Sequence, residues 1–405
     1  MNGRIHLDYY AGTPLLPNVK QAMEAALEES GNPSSIHEVG RRAKRTLEQA
    51  RRQVAALINA KAEEIYFTSC GTESNNWALR GLLAANKRKG NHVVISAIEH
   101  PSISLVARRL ELDAGVKVTI LPVDPEGFVS PSDFKAALKS ETVLVSMMLA
   151  NGEVGTIEPI QELAAIAHEQ GALFHTDAVA GVGHIAVDVK ALGVDALSLA
   201  ANQFYGPSGA AALFIREGVR ILPLLEGGGQ ETGARSGTEA LFAIVGMGAA
   251  AEIAQRDLLQ RMEQLGQLRD RLRDGLQQRI EGLRVNGPQE RCQTLFGQKV
   301  SDTISERVRL PHNLHVCIDG VSSESLVLGL DQAGIAAGLG SACNSKSMRP
   351  SHVLKAMGLT DEQAKGALVL TVGVPTTDDE IDRALEIIPT VVQRLRSVTS
   401  LTARS

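Results

Sequence analysis

Several short groups of polar residues in this sequence have the residue types needed for chemistry. Residues 69–74 read Ser-Cys-Gly-Thr-Glu-Ser, and they follow an apolar run and precede a helical pattern. A small turn containing glycine at such a place directs backbone N–H groups toward an anion such as a phosphate. The alternative is an ordinary helix N-cap turn, in which Thr72 only caps the helix.

Two single residues, His100 and Asp177, also follow apolar runs and are expected at the ends of buried strands. A carboxylate at such a place is costly to bury unless it meets a donor or a cation, and a protonated heterocycle nitrogen is one such partner. A lone histidine is more often structural, so His100 carries little weight by itself.

Cys343 lies in residues 338–347, a segment rich in glycine and serine. A thiol flanked by small polar residues is more often reactive than one packed in a core, and Lys346 would favour its thiolate. The alternative for any single cysteine is inert packing.

These residues are positioned by an alternation of strands and helices. Several strand candidates are continuous apolar runs, as expected for strands buried on both faces. The candidates are residues 64–69, 92–96, 117–123, 142–149, 172–178, 194–200 and 210–216. The alternation predicts a largely parallel sheet with helices on both faces, whose ligands bind at the carboxyl ends of the strands.

The pattern changes near residue 240. A long helical stretch at about 239–280 leads to strand candidates at 314–318 and 368–372, which alternate with helices at 322–332 and 377–396. We therefore expect a large α/β domain over residues 14–258. Residues 1–13 and 259–405 would form a smaller α+β domain that carries Cys343, with the polar residues 288–311 as a loop insertion.

Length, charge and cysteine content limit the classes of function. A chain of 405 residues is too long for one compact core, and a net charge of -5 gives no reason to expect nucleic acid or an anionic membrane. Apolar runs do not reach the roughly 18 residues of a membrane span. The four cysteines form no CxxC pair, and the N-terminal residues lack an apolar signal core, so we expect a cytoplasmic protein without a disulfide framework.

Five ordered blocks of the sequence carry a resemblance to a known group of enzymes. They are LDYYAGTP at 7–14, GNPSS at 31–35 followed by His37, FTSCGTESNN at 67–76, ARSGTEA at 234–240, and GSACNSKSMRPSHVLKAMG at 340–358. Together they resemble the cysteine desulfurases, in the class V aminotransferase branch of fold-type I pyridoxal-phosphate (PLP) enzymes. The resemblance runs from about residue 5 to residue 395. It implies a large domain with a mostly parallel seven-stranded sheet and a smaller α+β domain.

The resemblance also implies a role for each matching residue. Gly71 and Thr72 would hold the cofactor phosphate, His100 would stack on the pyridine ring, and Asp177 would pair with the ring nitrogen. Thr238 would reach the phosphate of a neighbouring subunit, which requires a homodimer. Cys343 would attack the substrate sulfur and carry it as a persulfide.

The sequence departs from this pattern at the position of the Schiff-base lysine. The family segment reads approximately SxHKxYGPKG, whereas residues 200–209 read AANQFYGPSG, so Gln203 occupies the lysine position. An amide nitrogen is not a nucleophile and cannot remove a substrate α-proton. We therefore expect no covalent PLP aldimine, although PLP held without a covalent bond remains an alternative.

Other departures surround the same ring position. Val369 replaces an arginine that would bind the substrate carboxylate bidentately. The further altered positions are Gly152 for an asparagine, Ala180 for a glutamine, Ala200 for a serine and Asn202 for a histidine. Such coordinated losses indicate a site that no longer binds an amino-acid aldimine. Cys70 also replaces a family glycine; we favour a small core residue there over a new ligand.

Three hypotheses of function follow. In the first, the protein is a desulfurase homologue of sulfur or iron–sulfur metabolism without PLP chemistry, and Cys343 accepts sulfur or ligates an iron–sulfur cluster shared with a scaffold or sulfur-acceptor protein. In the second, it is a genuine PLP enzyme with a non-covalently held cofactor. In the third, it is a regulatory or scaffolding pseudoenzyme whose dimer surface is its functional part.

Overall fold

The computed structural model describes residues 3–28, 31–291, 308–340 and 350–402. The first half of these residues alternates strands and helices: β1 Ile5–Leu7, α1 Pro17–Leu27, α2 Glu38–Leu57, β2 Ile65–Thr68, α3 Gly71–Asn86, β3 His92–Ser96, α4 Pro101–Ala114, β4 Lys117–Leu121, α5 Pro131–Ala137, β5 Thr142–Met148, α6 Ile160–Glu169, β6 Leu173–Asp177, α7 Val189–Leu192, β7 Ala196–Ala200 and β8 Ala211–Ile215. The remainder contains α8 Leu241–Arg279, β9 Leu283–Asn286, β10 Glu290–Arg291, β11 Val308–Arg309, β12 Asn313–Ile318, α9 Ser323–Gln332, β13 Ile335–Ala337, α10 His352–Ala356, α11 Asp361–Ala364, β14 Ala367–Thr371 and α12 Asp378–Thr402.

The central sheet has seven strands in the order β2-β8-β7-β6-β5-β3-β4. Only β8 runs antiparallel to its neighbours, so the predicted mostly parallel sheet is confirmed. Every residue of β5 and of β7 is buried, because helices cover both faces of the sheet. Helices α3 and α4 pack on one face, and α1, α2, α6 and α8 contribute to the core on the other.

A second hydrophobic core contains residues from both ends of the chain. Strand β1 pairs with β13 in parallel, and β12 lies antiparallel between β14 and β9. Ile5 and Leu7 of β1 pack in this core with residues of α9 and α12. Helix α8 serves both cores, since Met262 belongs to the first and Leu265 to the second.

The prediction of a surface loop insertion at residues 288–311 is wrong at its C-terminal end. Strands β10 and β11 pair in parallel, and the side chains of Arg309 and Leu310 are fully buried. The guanidinium of Arg309 donates to the carbonyl oxygens of Pro288 at 3.0 Å and Val154 at 3.1 Å. Residues 292–307 lie outside the described residues.

The first residues of the chain also contact the sheet. The amide of Thr13 donates to the carbonyl of Asn202 at 2.8 Å, and the amide of Tyr205 donates to Oγ1 of Thr13 at 2.6 Å. Residues 10–13 therefore lie beside the turn that follows β7. No helix in the described ranges is long and apolar enough to cross a membrane.

A buried ion pair holds the segment between β8 and α8 against the large core. Arg51 of α2 donates to both carboxylate oxygens of Glu231, at 2.7 and 2.8 Å, and the amide of Phe67 in β2 donates to the same carboxylate at 2.9 Å. The exposed fraction of the Glu231 side chain is only 2%. Removing one partner of such a pair leaves an uncompensated buried charge.

We therefore expect Glu231→Ala to lower the free energy of unfolding by about 3–5 kcal/mol, measured by urea denaturation. The control is Glu38→Ala, which removes a carboxylate that forms exposed ion pairs with Arg41 and Arg45 and should leave the midpoint unchanged. Equal midpoints for the two variants would contradict the prediction.

Candidate functional site

A cavity of about 340 Å³ opens at the carboxyl ends of strands β2, β3, β5, β6 and β7. This is the edge at which ligands bind in open α/β sheets. The described residues that line it include Tyr10, Cys70, Gly71, Thr72, Asn75, Glu99, His100, Gly152, Glu153, Asp177, Ala180, Ala200, Asn202, Gln203, Gly340 and His352.

The structure brings most of the residues singled out in the sequence to this cavity. Gly71, Thr72, His100 and Asp177 line it, together with the altered positions Gly152, Ala180, Ala200, Asn202 and Gln203. Two other residues are not part of its described lining: Val369 is fully buried in β14, and Thr238 is exposed on the segment before α8. Cys343 and Lys346 lie outside the described residues.

One end of the cavity is the N-terminus of α3. The backbone packs closely there, because a Cβ atom on Gly71 would lie 2.8 Å from Cγ2 of Val179. Cys70 is the N-cap residue, and its side chain caps no amide. The first amides of a 16-residue helix suit an anion such as a phosphate. Cys70 itself is exposed, so our preference for a small core residue at this position is wrong.

The middle of the cavity is a chain of hydrogen bonds that ends at Asp177. The amide nitrogen Nδ2 of Asn75 donates to Asp177 at 2.6 Å and to Oγ of Ser102 at 2.8 Å. The hydroxyl of Ser102 lies 2.7 Å from Nδ1 of His100. Burial, the largest effect, raises the pKa of Asp177, while the amide of Val179, the charge of His100 and the Asn75 bond oppose the shift. A protonated ring nitrogen would offset the cost of this buried carboxylate.

Gln203 is held in place by hydrogen bonds of its own. Its side-chain nitrogen Nε2 donates to the carbonyl of Tyr10 at 3.3 Å, and its backbone carbonyl accepts from His184 at 2.7 Å. The described lining contains no lysine and no arginine. The residues present therefore fit a phosphorylated pyridine ring held by hydrogen bonds, but those described offer no amine to attach it covalently.

Two buried glutamates in the lining were missed by the sequence reasoning. Glu99 accepts from Ser96 at 2.6 Å and from the amide of Met148 at 2.9 Å, and burial raises the pKa of Glu99 to about 8. Glu153 accepts from Oγ of Ser351 at 2.8 Å. Both glutamates lie next to residues that the sequence did single out, but spacing alone gave no sign of their burial.

Glu153 also contacts two residues that lie close to the Cys343 segment in the sequence. A Cβ atom on Gly340 would lie 2.9 Å from Oε1 of Glu153, and Ser351 bonds its other oxygen. Gly340 and Ser351 lie on either side of positions 341–349 in the sequence, so Glu153 contacts residues both before and after that segment. Among the described residues, no group of three or more histidine, cysteine or acidic side chains could hold a metal ion.

Comparison with known proteins identifies the family. The profile of the family described as "Aminotransferase class-V" matches residues 5–383. This chain belongs to the class-V aminotransferase family. Over 402 residues it is 43% identical to "Cysteine desulfurase IscS" of Clostridium botulinum (strain Kyoto / Type A2), covering 99% of this chain and 97% of that protein. It is likewise 43% identical to "Cysteine desulfurase IscS 1" of Archaeoglobus fulgidus over 400 residues, or 98% and 100% of the two chains.

Solved structures of the family agree with this assignment. A "NIFS-LIKE PROTEIN" superposes with a TM-score of 0.86 and 32% identity, covering 96% of this chain and 99% of the other. The apo cysteine desulfurase of Thermococcus onnurineus NA1 gives a TM-score of 0.82 at 26% identity, covering 97% and 95%. The resemblance to the cysteine desulfurases and the expected fold-type I architecture are thus confirmed.

The pKa of Glu153 gives a testable dependence of stability on pH. Burial raises this pKa to about 7 from an ordinary value of 4.5, so the folded protein holds the proton more tightly than the unfolded chain. The resulting stability is complete below about pH 4.5 and is lost as the pH rises to about 7. Relative to Glu153→Gln, the free energy of unfolding of the wild type should fall by about 2–3 kcal/mol between roughly pH 5 and pH 8.

Denaturation midpoints of both proteins across this range measure the difference. The control is Glu111→Gln, which alters an exposed carboxyl group on α4 and should keep the pH profile of the wild type. Parallel profiles for the wild type and Glu153→Gln would show that folding does not raise the pKa of Glu153, contrary to this expectation.

Proposed function

We propose that this protein handles sulfur through Cys343 in sulfur or iron–sulfur cluster metabolism, without extracting sulfur from L-cysteine by PLP chemistry. The observation that carries the proposal is Gln203, an amide at the family's lysine position that is bonded to the carbonyl of Tyr10. The relatives named cysteine desulfurase IscS support the metabolic setting. Fold and ancestry do not supply the activity, which depends on the residues of the site.

The course of the chain supports a role for Cys343 at this cavity. Gly340 on one side of residues 341–349, and His352 and Val353 on the other, line the cavity. Small residues around a cysteine allow its thiolate to be reached by a donor.

The sulfur-accepting step needs no cofactor. The Cys343 thiolate would attack the outer sulfur of a donor persulfide, forming a new S–S bond while the donor's S–S bond breaks and the donor leaves as a thiolate. The persulfide on Cys343 would then pass its outer sulfur to an acceptor thiolate on a sulfur-acceptor or iron–sulfur scaffold protein. A thiolate also suits an iron–sulfur cluster, so Cys343 could alternatively ligate a cluster shared with such a partner.

A second candidate function is that of a cysteine desulfurase or related lyase that binds PLP without a covalent bond. It is supported by the buried Asp177 with its partner Asn75, and by the α3 N-terminus at Gly71. When bound, this cofactor supplies an electron sink for a substrate carbanion. In this chain Asp177 would hold the ring and α3 the phosphate, but Gln203 has no basic nitrogen with which to take a proton from the substrate.

The test of the main proposal is persulfide loading. We expect the purified protein to gain a sulfur atom on Cys343 after incubation with a low-molecular-weight persulfide, as measured by mass spectrometry. Cys343→Ser should lose this modification and its transfer to a scaffold protein. Cys70→Ser is the matched control: it removes the exposed described thiol and should leave loading at Cys343 intact.

The same preparation distinguishes the two candidate functions. Incubated with L-cysteine and PLP, it should release no sulfide, and borohydride reduction should give no PLP adduct on any pocket lysine. Alanine formed from cysteine without such an adduct would favour the second candidate, whereas an adduct on a pocket lysine would contradict both candidates. Loading that persists in Cys343→Ser would refute the role of Cys343.

We also propose that the protein is a homodimer. The segment around Thr238 is exposed and is held to the first turn of α3 by an ion pair between Arg235 and Glu73 at 2.8 Å. Two apolar side chains near this segment in the chain are also exposed, Leu225 by 43% and Phe242 by 42%. The resemblance places Thr238 at the phosphate of a neighbouring subunit, and contiguous exposed apolar surface rimmed by polar residues marks protein–protein interfaces.

Light scattering at micromolar concentration should therefore give twice the mass of one chain. Leu225→Asp should shift the equilibrium toward the monomer, because it places a charge within an apolar contact. Leu328→Asp is the control, since Leu328 is exposed on α9 and outside the proposed interface. A monomeric wild-type protein would contradict the proposal, as would equal effects of both substitutions.

A further inference from the structure

The ring of Tyr10 lies against the backbone of Gly152 inside the cavity. A Cβ atom built on Gly152 would lie 2.4 Å from Cε2 and 2.8 Å from Cδ2 of this ring. Contacts this short do not occur between packed atoms, so the ring fills the space in which any side chain at position 152 would begin. The same Cβ atom would be 3.3 Å from Cβ of Ala180, which places a second small residue beside the ring.

The backbone of Tyr10 is fixed on both sides. Its amide donates to Oγ1 of Thr371 in β14 at 2.9 Å, and its carbonyl accepts from Nε2 of Gln203. Two residues later, Gly12 is followed by Thr13, whose amide and hydroxyl both bond the carbonyl of Asn202. The position of the ring is therefore set by main-chain bonds to two separate parts of the fold.

Three of the altered positions thus lie around one residue, Tyr10. Gly152 and Ala180 lack the side chains that would collide with or crowd the ring, and Gln203 bonds the Tyr10 carbonyl. We propose that Tyr10 determines the ligand specificity of this cavity. Its ring occupies the space over Gly152 and beside Ala180, so that the cavity admits a compact anion-bearing ring compound but not the same compound enlarged by an amino-acid group.

This proposal goes beyond the sulfur-handling function and does not depend on Cys343. The compact ligand would bind at the α3 N-terminus and Asp177, which line the same cavity. The enlarged ligand needs room over Gly152 and beside Ala180, where the ring of Tyr10 lies. A pocket that is too small by a few atoms discriminates through steric exclusion rather than through lost hydrogen bonds.

The packing part is tested by a double-mutant cycle in thermal unfolding. Gly152→Ala should lower Tm by roughly 3–6 °C in the wild type, because it overpacks the ring. In the Tyr10→Ser background the same substitution should have almost no effect. Gly229→Ala is the control, since a Cβ atom there would meet nothing within 4 Å. An equal shift in both backgrounds would overturn the proposal; a Gly152→Ala protein that folds only with Tyr10→Ser supports it.

The specificity part is tested by calorimetric titration with two probes. They are pyridoxal phosphate and N-(phosphopyridoxyl)-L-alanine, its stable reduced conjugate with an amino acid. Tyr10→Ser should tighten binding of the conjugate roughly tenfold or more and change the affinity for pyridoxal phosphate much less. Tyr10→Phe, which keeps the ring, should behave as the wild type.

Two results of this titration would overturn the proposal. One is a ratio of the affinities for pyridoxal phosphate and for the conjugate that is the same in the wild type and in Tyr10→Ser. A conjugate that binds to neither protein counts as this result. The other is a Tyr10→Phe protein that behaves like Tyr10→Ser, because the phenol hydroxyl and not the ring would then set the specificity. Neither result affects persulfide loading on Cys343, so the proposed function is tested independently of this proposal.

Discussion

The shape of the cavity depends on the hydrogen bonds that hold residues 10–13 between β14 and the turn after β7. On one side, the amide of Tyr10 donates a hydrogen bond to the side chain of Thr371. On the other side, Asn202 and Gln203 form hydrogen bonds with Thr13 and Tyr10. Tyr10 forms its bonds through its backbone amide and carbonyl, so these bonds do not depend on which side chain stands at position 10. The ring of Tyr10 is therefore presented to the cavity by the fold, and the residues opposite it must leave room.

Burial of carboxyl groups is the second feature that sets the character of the site. Glu99 and Glu153 line the cavity. Glu158 lies close enough to Glu99 that the charge of Glu99 opposes the ionisation of Glu158. Burial raises the pKa of Glu99 and of Glu158 to about 8. At neutral pH these groups largely keep their protons, so the cavity is less negative than its residue types suggest. An anionic ligand at the α3 N-terminus then meets less repulsion.

The family relationship and the altered site lead to different conclusions. Sequence identity over the whole chain and the superposition with known structures define ancestry and fold. The chemistry depends on a few side chains at the ends of the strands. Gln203, which we expect at the family's lysine position, carries an amide, and Val369 lies in the buried middle of β14 without a charge. A carboxylate-bearing amino acid therefore finds neither its covalent partner nor its family cation among the described residues.

The sequence by itself determined the sheet and the family, and it led to the expectation that Gln203 stands at the family's lysine position. Continuous apolar runs such as β5 are local signals, and the blocks around residues 200–209 fix their register without knowledge of the fold. Only the tertiary structure decided that Cys70 is exposed, that Arg309 is buried, and that Tyr10 packs on Gly152. Those features depend on which distant segments meet in space, and hydrophobic periodicity carries no information about such contacts. The same holds for the proton on Glu153, whose pKa reflects the surrounding atoms and not its neighbours in the chain.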